Sequence, residues 1–140
     1  MYTTFAIAWT YLASQGFEVF KADKSAYKKQ LFVNVEEPLI TPDVVVRRGT
    51  ETRLIVDAKY INRLPSADEF YQILAYTLAY RCNIGALALP HVGPRAPVEY
   101  KTDDRRIIVY FVDLNDPVQA EADLHSWLRS LLVQPAADAA

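Results

Sequence analysis

The stretch Pro42-Asp43-Val44-Val45-Val46-Arg47-Arg48-Gly49-Thr50-Glu51-Thr52-Arg53-Leu54-Ile55-Val56-Asp57-Ala58-Lys59-Tyr60 decides how the chain is read. Asp43 to Arg48 is rich in β-branched residues and reads as a strand. Gly49-Thr50-Glu51 supplies a hairpin turn, and Arg53 to Tyr60 reads as the returning strand. Leu54-Ile55-Val56 is apolar at every position, which predicts a strand covered on both faces, central rather than at an edge. Side chains alternate along a strand, so Asp57 and Lys59 share one face while Ala58 takes the other. The hairpin can therefore bring Asp43 and Asp57 to the same end of a sheet.

Two close carboxylates repel unless a cation joins them. Hard oxygen ligands of this kind suit Mg²⁺ or Mn²⁺. Lys59 adds a third charge in the same small space. Its ammonium can neutralise a scissile phosphate, and its amine can orient or deprotonate a water. A carboxylate pair, a divalent metal and a lysine form a kit for phosphodiester hydrolysis. Each residue also has a plainer reading. Asp43 can be a turn residue after Pro42, and Lys59 can simply be the ion-pair partner that a buried Asp57 needs.

Upstream of this segment, Tyr2 to Gln15 holds no charged side chain. Phe5, Ala8, Trp9, Leu12 and Ala13 recur at helical spacing, and Gly16 supplies a stop. Phe17 to Phe20 reads as a short strand. Lys21 to Gln30 is locally basic and reads as a solvated loop, although its lysines could track a DNA backbone. Leu31 to Val35 alternates in the manner of a strand.

Downstream, Ser66 followed three residues later by Glu69 is a capping box, which starts a helix running to about Arg81. Phe70, Ile73, Leu74, Thr77 and Leu78 mark its packing side, and Asn83 can close it. Ile84 to Leu89 reads as a buried strand. Val98 to Lys101 and Arg106 to Val112 read as two more. Asp116 can cap a last helix with Pro117 in its first turn. Leu124, Trp127, Leu128, Leu131 and Leu132 are its stripe. The order gives one α/β domain around a mixed sheet flanked by helices. The domain is expected over residues 1–133, with 134–140 a flexible tail.

Composition limits the function. In 140 residues, 51% are hydrophobic and 23% charged, which excludes a disordered tail or a fibrous rod. Fifteen basic against seventeen acidic residues leave a net charge of -2, which argues against a free-standing cationic nucleic-acid binder. The single cysteine, Cys82, excludes an intrachain disulfide scaffold and reads as a small buried hydrophobe. No signal-peptide pattern or membrane-length apolar run is visible, so a soluble, cytoplasmic protein is expected. His91 and His125 lack metal-ligand spacing and read as surface or loop residues.

Pro42-Asp43, a gap of thirteen residues and then Asp57-Ala58-Lys59 resembles the signature of the PD-(D/E)xK nuclease superfamily. The extension is more specific. Asp57-Ala58-Lys59-Tyr60, a short loop, and then a helix with Gln72 and Tyr76 four residues apart resemble the McrC-like branch. Such proteins are the nuclease subunits of McrBC modification-dependent restriction systems. The resemblance is best from about Leu31 to Pro90. It implies a restriction-endonuclease-like αβββαβ core and a metal-dependent DNA endonuclease. Asp43, Asp57 and the main-chain carbonyl of Ala58 would hold Mg²⁺, with Mn²⁺ able to substitute. Lys59 would position the attacking water, with Gln72 and Tyr76 beside the site or the DNA. The implied partners are DNA, possibly a methylated duplex, and an AAA+ GTPase subunit of McrB type. One departure stands out. Many members carry a glutamate on the first helix, and here no acid precedes Glu18. Glu36 and Glu37 are near in sequence, but nothing places them. A RecB-like exonuclease, a junction resolvase, or an inactive nuclease-fold docking module for an AAA+ partner are the alternative readings. Arg47, Arg48, Arg53 and Arg63 cluster around the proposed site in sequence.

Overall fold

The expected hairpin forms from β4 (Val44–Arg48) and β5 (Glu51–Ala58). Gly49 in the turn has φ +62°, a left-handed conformation that glycine adopts at little cost. Val44 pairs with Val56, Val45 with Ile55 and Val46 with Leu54. A register shift follows between Val46 and Arg47. One step beyond the Val44–Val56 pair, Asp43 faces Asp57.

The computed structural model describes residues 10–20, 29–40 and 42–133. The hairpin sits in a six-stranded sheet with β1 (Glu18–Phe20), β6 (Ile84–His91), β7 (Val98–Lys101) and β8 (Arg106–Asp113). The spatial order is β1-β4-β5-β6-β8-β7. The pairs β1–β4, β4–β5 and β7–β8 are antiparallel, while β5, β6 and β8 run parallel. β5 is central, as its apolar run predicts. Residues 10–14 are helical (α1), α2 spans Ala67–Ala79, and α3 spans Pro117–Leu128 before a π-helical turn over Arg129–Val133. A separate two-stranded ribbon pairs β2 (Lys29–Gln30) with β3 (Leu39–Ile40).

Strand alternation divides the apolar residues into two layers. Val45, Ile55, Leu87 and Val109 face α2 and its Ile73. Val44, Val56, Ala86 and Ala88 face the opposite way, against Leu12 of α1 and Leu124 and Leu128 of α3. The result is a mixed sheet covered by helices on both sides.

α2 begins at the expected cap. The Ser66 hydroxyl accepts from the Glu69 amide, and the Glu69 carboxylate accepts from the Ser66 amide. Where α2 crosses β6 it packs against Gly85. A Cβ at Gly85 would stand 2.9 Å from both Ile73 Cγ1 and Thr77 Cγ2. Only the missing side chain lets the helix come this near. Asp116 caps α3 by accepting from the Gln119 amide, with Pro117 in the first turn.

Four expectations are corrected. Leu31 to Val35 alternates in sequence but forms bends, and Val33 is 95% exposed. Among the described residues no strand pairs with it, and the pairing falls instead on Lys29–Gln30 and Leu39–Ile40. α2 is closed by Arg81, at φ +53°, rather than by Asn83. Leu78 turns to solvent, and Tyr76 takes the inward position. His91 and His125 are both half-buried rather than surface residues. The His91 ring meets Phe111 edge-on, and the His125 ring stacks on Tyr11. Cys82 is buried as expected, and burial pushes its thiol up to about 11. The first-helix residues 1–9, the lysine-rich 21–28 and the tail 134–140 lie outside the described residues.

Candidate active site

The sheet register sets Asp43 and Asp57 against each other at the end of the hairpin remote from its turn. Main-chain amides lock them there. The Asp43 amide donates to Asp57 Oδ1 at 3.2 Å, and the Ala58 amide donates to Asp43 Oδ2 at 2.8 Å. Each carboxylate is thus held by the backbone of the other's strand.

Lys59 follows Asp57 on the same face. Its Nζ lies 2.9 Å from Asp57 Oδ2 and donates to Gln72 Oε1 at 2.5 Å. The backbone of Lys59 is itself fixed, since its amide donates to Ala88 O on β6 at 2.9 Å. Gln72 and Tyr76 stand one helical turn apart on α2. The structure therefore brings Asp43, Asp57, Ala58, Lys59, Gln72 and Tyr76 into one cluster, made by β5, the residue before β4, and α2.

The electrostatics follow from this crowding. The Asp57 side chain is 7% exposed, whereas Lys59 keeps 22%. The Asp57 carboxyl is raised to about 6, chiefly by burial. The neighbouring Asp43 carboxylate contributes to that rise, and Lys59 opposes both causes. Tyr76 is pushed up to about 12, first by burial and then by the charges of Asp57 and Asp43. Its hydroxyl stays protonated and can donate.

A divalent cation fits this donor set. Asp57 ionises reluctantly because it is buried and has the Asp43 carboxylate beside it, and a second positive charge would relieve that. Mg²⁺ keeps most of its ligands as water and takes one or two carboxylates, so a pair of aspartates is a donor set of the kind it uses. Among the described residues no group of three or more His, Cys, Asp or Glu side chains gathers anywhere. Glu36 and Glu37 are exposed in the segment before β3, so neither replaces the missing acid in this arrangement.

The expected arginine cluster does not form at this site. β4 and β5 run away from the aspartates, so five residues carry Arg48 about 17 Å off. Arg48 donates to Gln15 O and lies over Phe17, and Arg53 pairs with Glu51. Only Arg63 stays near the start of α2, paired with Glu69 at 2.6 Å. Two features escaped the sequence reading. The close approach at Gly85 had a signal, a glycine inside an apolar strand. The stacking of Arg95 on Phe111, 4.3 Å from the ring centre, had none, because it joins a loop to a strand.

Comparison with known structures places the fold. A chain of the refined half-complex from the tetradecameric assembly of Thermococcus gammatolerans McrB AAA+ hexamers with bound McrC is similar to this one, with a TM-score of 0.57 and 22% identity. The match covers 67% of this chain and 26% of that one, so the similarity spans about a quarter of the longer chain. No family model matches the sequence, and no curated protein matches it. Among the described residues, no helix is long and apolar enough to cross a membrane.

Proposed function

We propose that this chain is a McrC-like nuclease domain with a restriction-endonuclease-like core, hydrolysing DNA phosphodiester bonds with Mg²⁺. The observation that carries the reading is the cluster in which Asp43 and Asp57 are locked by each other's strands while Lys59 is held between Asp57 and Gln72. The fold similarity to a chain from an McrB–McrC assembly supports it independently. The natural partners are then DNA and an AAA+ GTPase subunit of McrB type, in the cytoplasm.

Asp43, Asp57 and the Ala58 carbonyl would hold the ion. When bound, Mg²⁺ would acidify a coordinated water and screen charge developing on the phosphate. Lys59 supplies a fixed ammonium toward the scissile phosphate and the incoming water. Gln72 and Asp57 keep it there. Such preorganised charge needs no reorientation as the reaction proceeds. Tyr76, still protonated, can donate to a phosphate oxygen.

The test is a Mg²⁺-dependent cleavage assay on methylated and unmethylated duplex, with and without the GTPase partner. Asp57→Asn and Lys59→Ala should each abolish cleavage while the protein still melts cooperatively. Cleavage that survives either change removes the site assignment.

A second reading draws on a different observation. Two carboxylates and no third acid, with Lys59 already on Asp57, would also suit a nuclease-fold docking module that has lost catalysis. Calorimetric titration with Mn²⁺ separates the two. Heat that disappears in Asp43→Ala supports the enzyme, and no heat in the wild type supports the module.

A further inference from the structure

A cleft of about 350 Å³ opens at the carboxyl ends of β5, β6 and β8, beside the aspartate cluster. Its floor is apolar, built from Ile61, Leu89 and Phe111. These residues belong to the α2 side of the sheet, the side that carries Asp57 and Lys59. Leu89 lies two residues beyond Leu87, the register partner of Asp57, or about 7 Å along the strand. Ile61 lies two residues beyond Lys59. The cleft thus follows the cluster along β6 and along the segment that leaves β5.

The rim carries two arginines, Arg63 and Arg95, of which Arg63 is already paired with Glu69 at 2.6 Å. No carboxylate lines it. The guanidinium carbon of Arg95 sits over the Phe111 ring in a cation–π contact, 4.3 Å from the ring centre. Val92, 72% exposed, and Leu114, 53% exposed, stand at the mouth with nothing over them among the described residues. An apolar floor and the Arg95 guanidinium carried on the buried Phe111 ring together match one kind of ligand. A nucleobase offers flat apolar faces and comes attached to an anion. Bases out of their stack are held this way, on aromatic rings and arginine planes.

We infer that this cleft receives an unstacked base of the DNA strand next to the scissile phosphate, so that the favoured substrate has an unpaired or flipped nucleotide there. The inference rests on the nuclease reading and deepens it. Arg95 is then a substrate-binding residue. Its charge meets the backbone, and its plane covers the base. Pulling a paired base into the cleft costs unstacking, and a nucleotide that is already unpaired avoids that cost.

The experiment measures Mg²⁺-dependent cleavage by the full chain of a duplex with a single unpaired nucleotide, moved position by position past the cut. The same series is made with an abasic residue in place of that nucleotide. At one position the abasic substitution should lower kcat/KM about ten-fold or more. Arg95→Lys, which keeps the charge and loses the plane, should show the same loss on intact DNA and no further loss on abasic DNA. Equal cleavage of intact and abasic DNA at every position overturns the inference and leaves the nuclease reading standing. If the chain cuts nothing, anisotropy with the same oligonucleotides in EDTA decides. Base-dependent binding that Arg95→Lys removes upholds the cleft, and base-independent binding overturns it. Val92→Trp, which fills the mouth from an exposed position, should impair cleavage. Unchanged cleavage with weakened association of an AAA+ subunit would assign the cleft to the partner and overturn the inference.

Discussion

Asp43 and Asp57 clamp one another through the backbone: Asp57 Oδ1 accepts from the Asp43 amide at 3.2 Å, and Asp43 Oδ2 accepts from the Ala58 amide at 2.8 Å. The second bond depends on the Asp43 side chain. Asp43→Ala strands the Ala58 amide and should cost about 1–3 kcal/mol. Asp43→Asn keeps an acceptor and should melt close to the wild type while losing Mn²⁺ affinity. Thermal melts with calorimetric titration check both. An asparagine variant as unstable as the alanine variant would show that charge, rather than the hydrogen bond, holds the hairpin end.

Asp57 gives a pH dependence. Its carboxyl ionises at about 6 in the folded chain, against 3.8 as the unperturbed value. The folded state therefore holds this proton more tightly than the unfolded state does. The stabilisation is fully present below about pH 4 and is lost as pH rises through 6. Without divalent metal, Asp57→Asn should gain on the wild type between pH 4 and 7.5, by on the order of 2 kcal/mol. Urea unfolding at the two pH values in EDTA measures this. Mg²⁺ should then raise the wild-type stability at pH 7.5 and leave the variant unchanged.

Gln72 holds Lys59 from the α2 side, through its amide oxygen. Gln72→Ala releases one side of the ammonium and leaves the ion pair with Asp57 at 2.9 Å. Hydrogen bonds to charged groups contribute about 1.5–3 kcal/mol. Cleavage should fall on the order of ten-fold or more, with the melting temperature nearly unmoved because Gln72 is exposed. A proportional fall in stability would mean that Gln72 only supports α2.

The crossing of α2 over β6 sets where Gln72 stands. Gly85→Ala puts a methyl 2.9 Å from Ile73 Cγ1 and Thr77 Cγ2, and such overpacking costs about 1–3 kcal/mol. The helix must lift, so Lys59 and Gln72 should separate. Combining it with Thr77→Ser removes the clashing Thr77 methyl, leaves the Ile73 methylene, and should return part of both stability and cleavage. Strict additivity in the double variant would show that the helix does not move.

The α2 cap offers a control away from the cluster. Ser66→Ala should cost about 1 kcal/mol. Glu69, held down to about 2 by the Ser66 amide and Arg63, stabilises the helix start above the ordinary glutamate range. That contribution falls away as pH drops through 4.5 toward 2. Chemical denaturation at pH 7 and pH 3 should show the smaller Ser66→Ala penalty at the lower pH.

Much of this arrangement was legible in the sequence. The hairpin, the central β5, the capping box at Ser66 and the Asp116-Pro117 start of α3 each rest on interactions within a few residues. The adjacency of Asp43 and Asp57 was legible because alternation and a tight turn determine register. The Leu31–Val35 segment was misread because alternation marks a strand only when another strand lies beside it. The arginines were misplaced for a simpler reason: neighbours in sequence on a strand diverge by about 3.3 Å per residue. The Arg95–Phe111 stack and the cleft beside it depend on how a loop crosses the sheet end, which no local pattern encodes.

The aspartates sit at the open end of the β4–β5 hairpin, and Gly49 turns the chain at the other. Their spacing of thirteen residues is therefore a consequence of hairpin length and not a requirement of the site. Adding one residue pair, one residue to each strand, would move the turn outward and leave Asp43 facing Asp57. Adding a single residue to one strand would turn a carboxylate to the α3 side unless a bulge absorbed it, as the shift between Val46 and Arg47 already does for one residue. Sites of this design can drift in spacing while keeping their geometry, so distant relatives are better sought by strand register than by a fixed-gap motif.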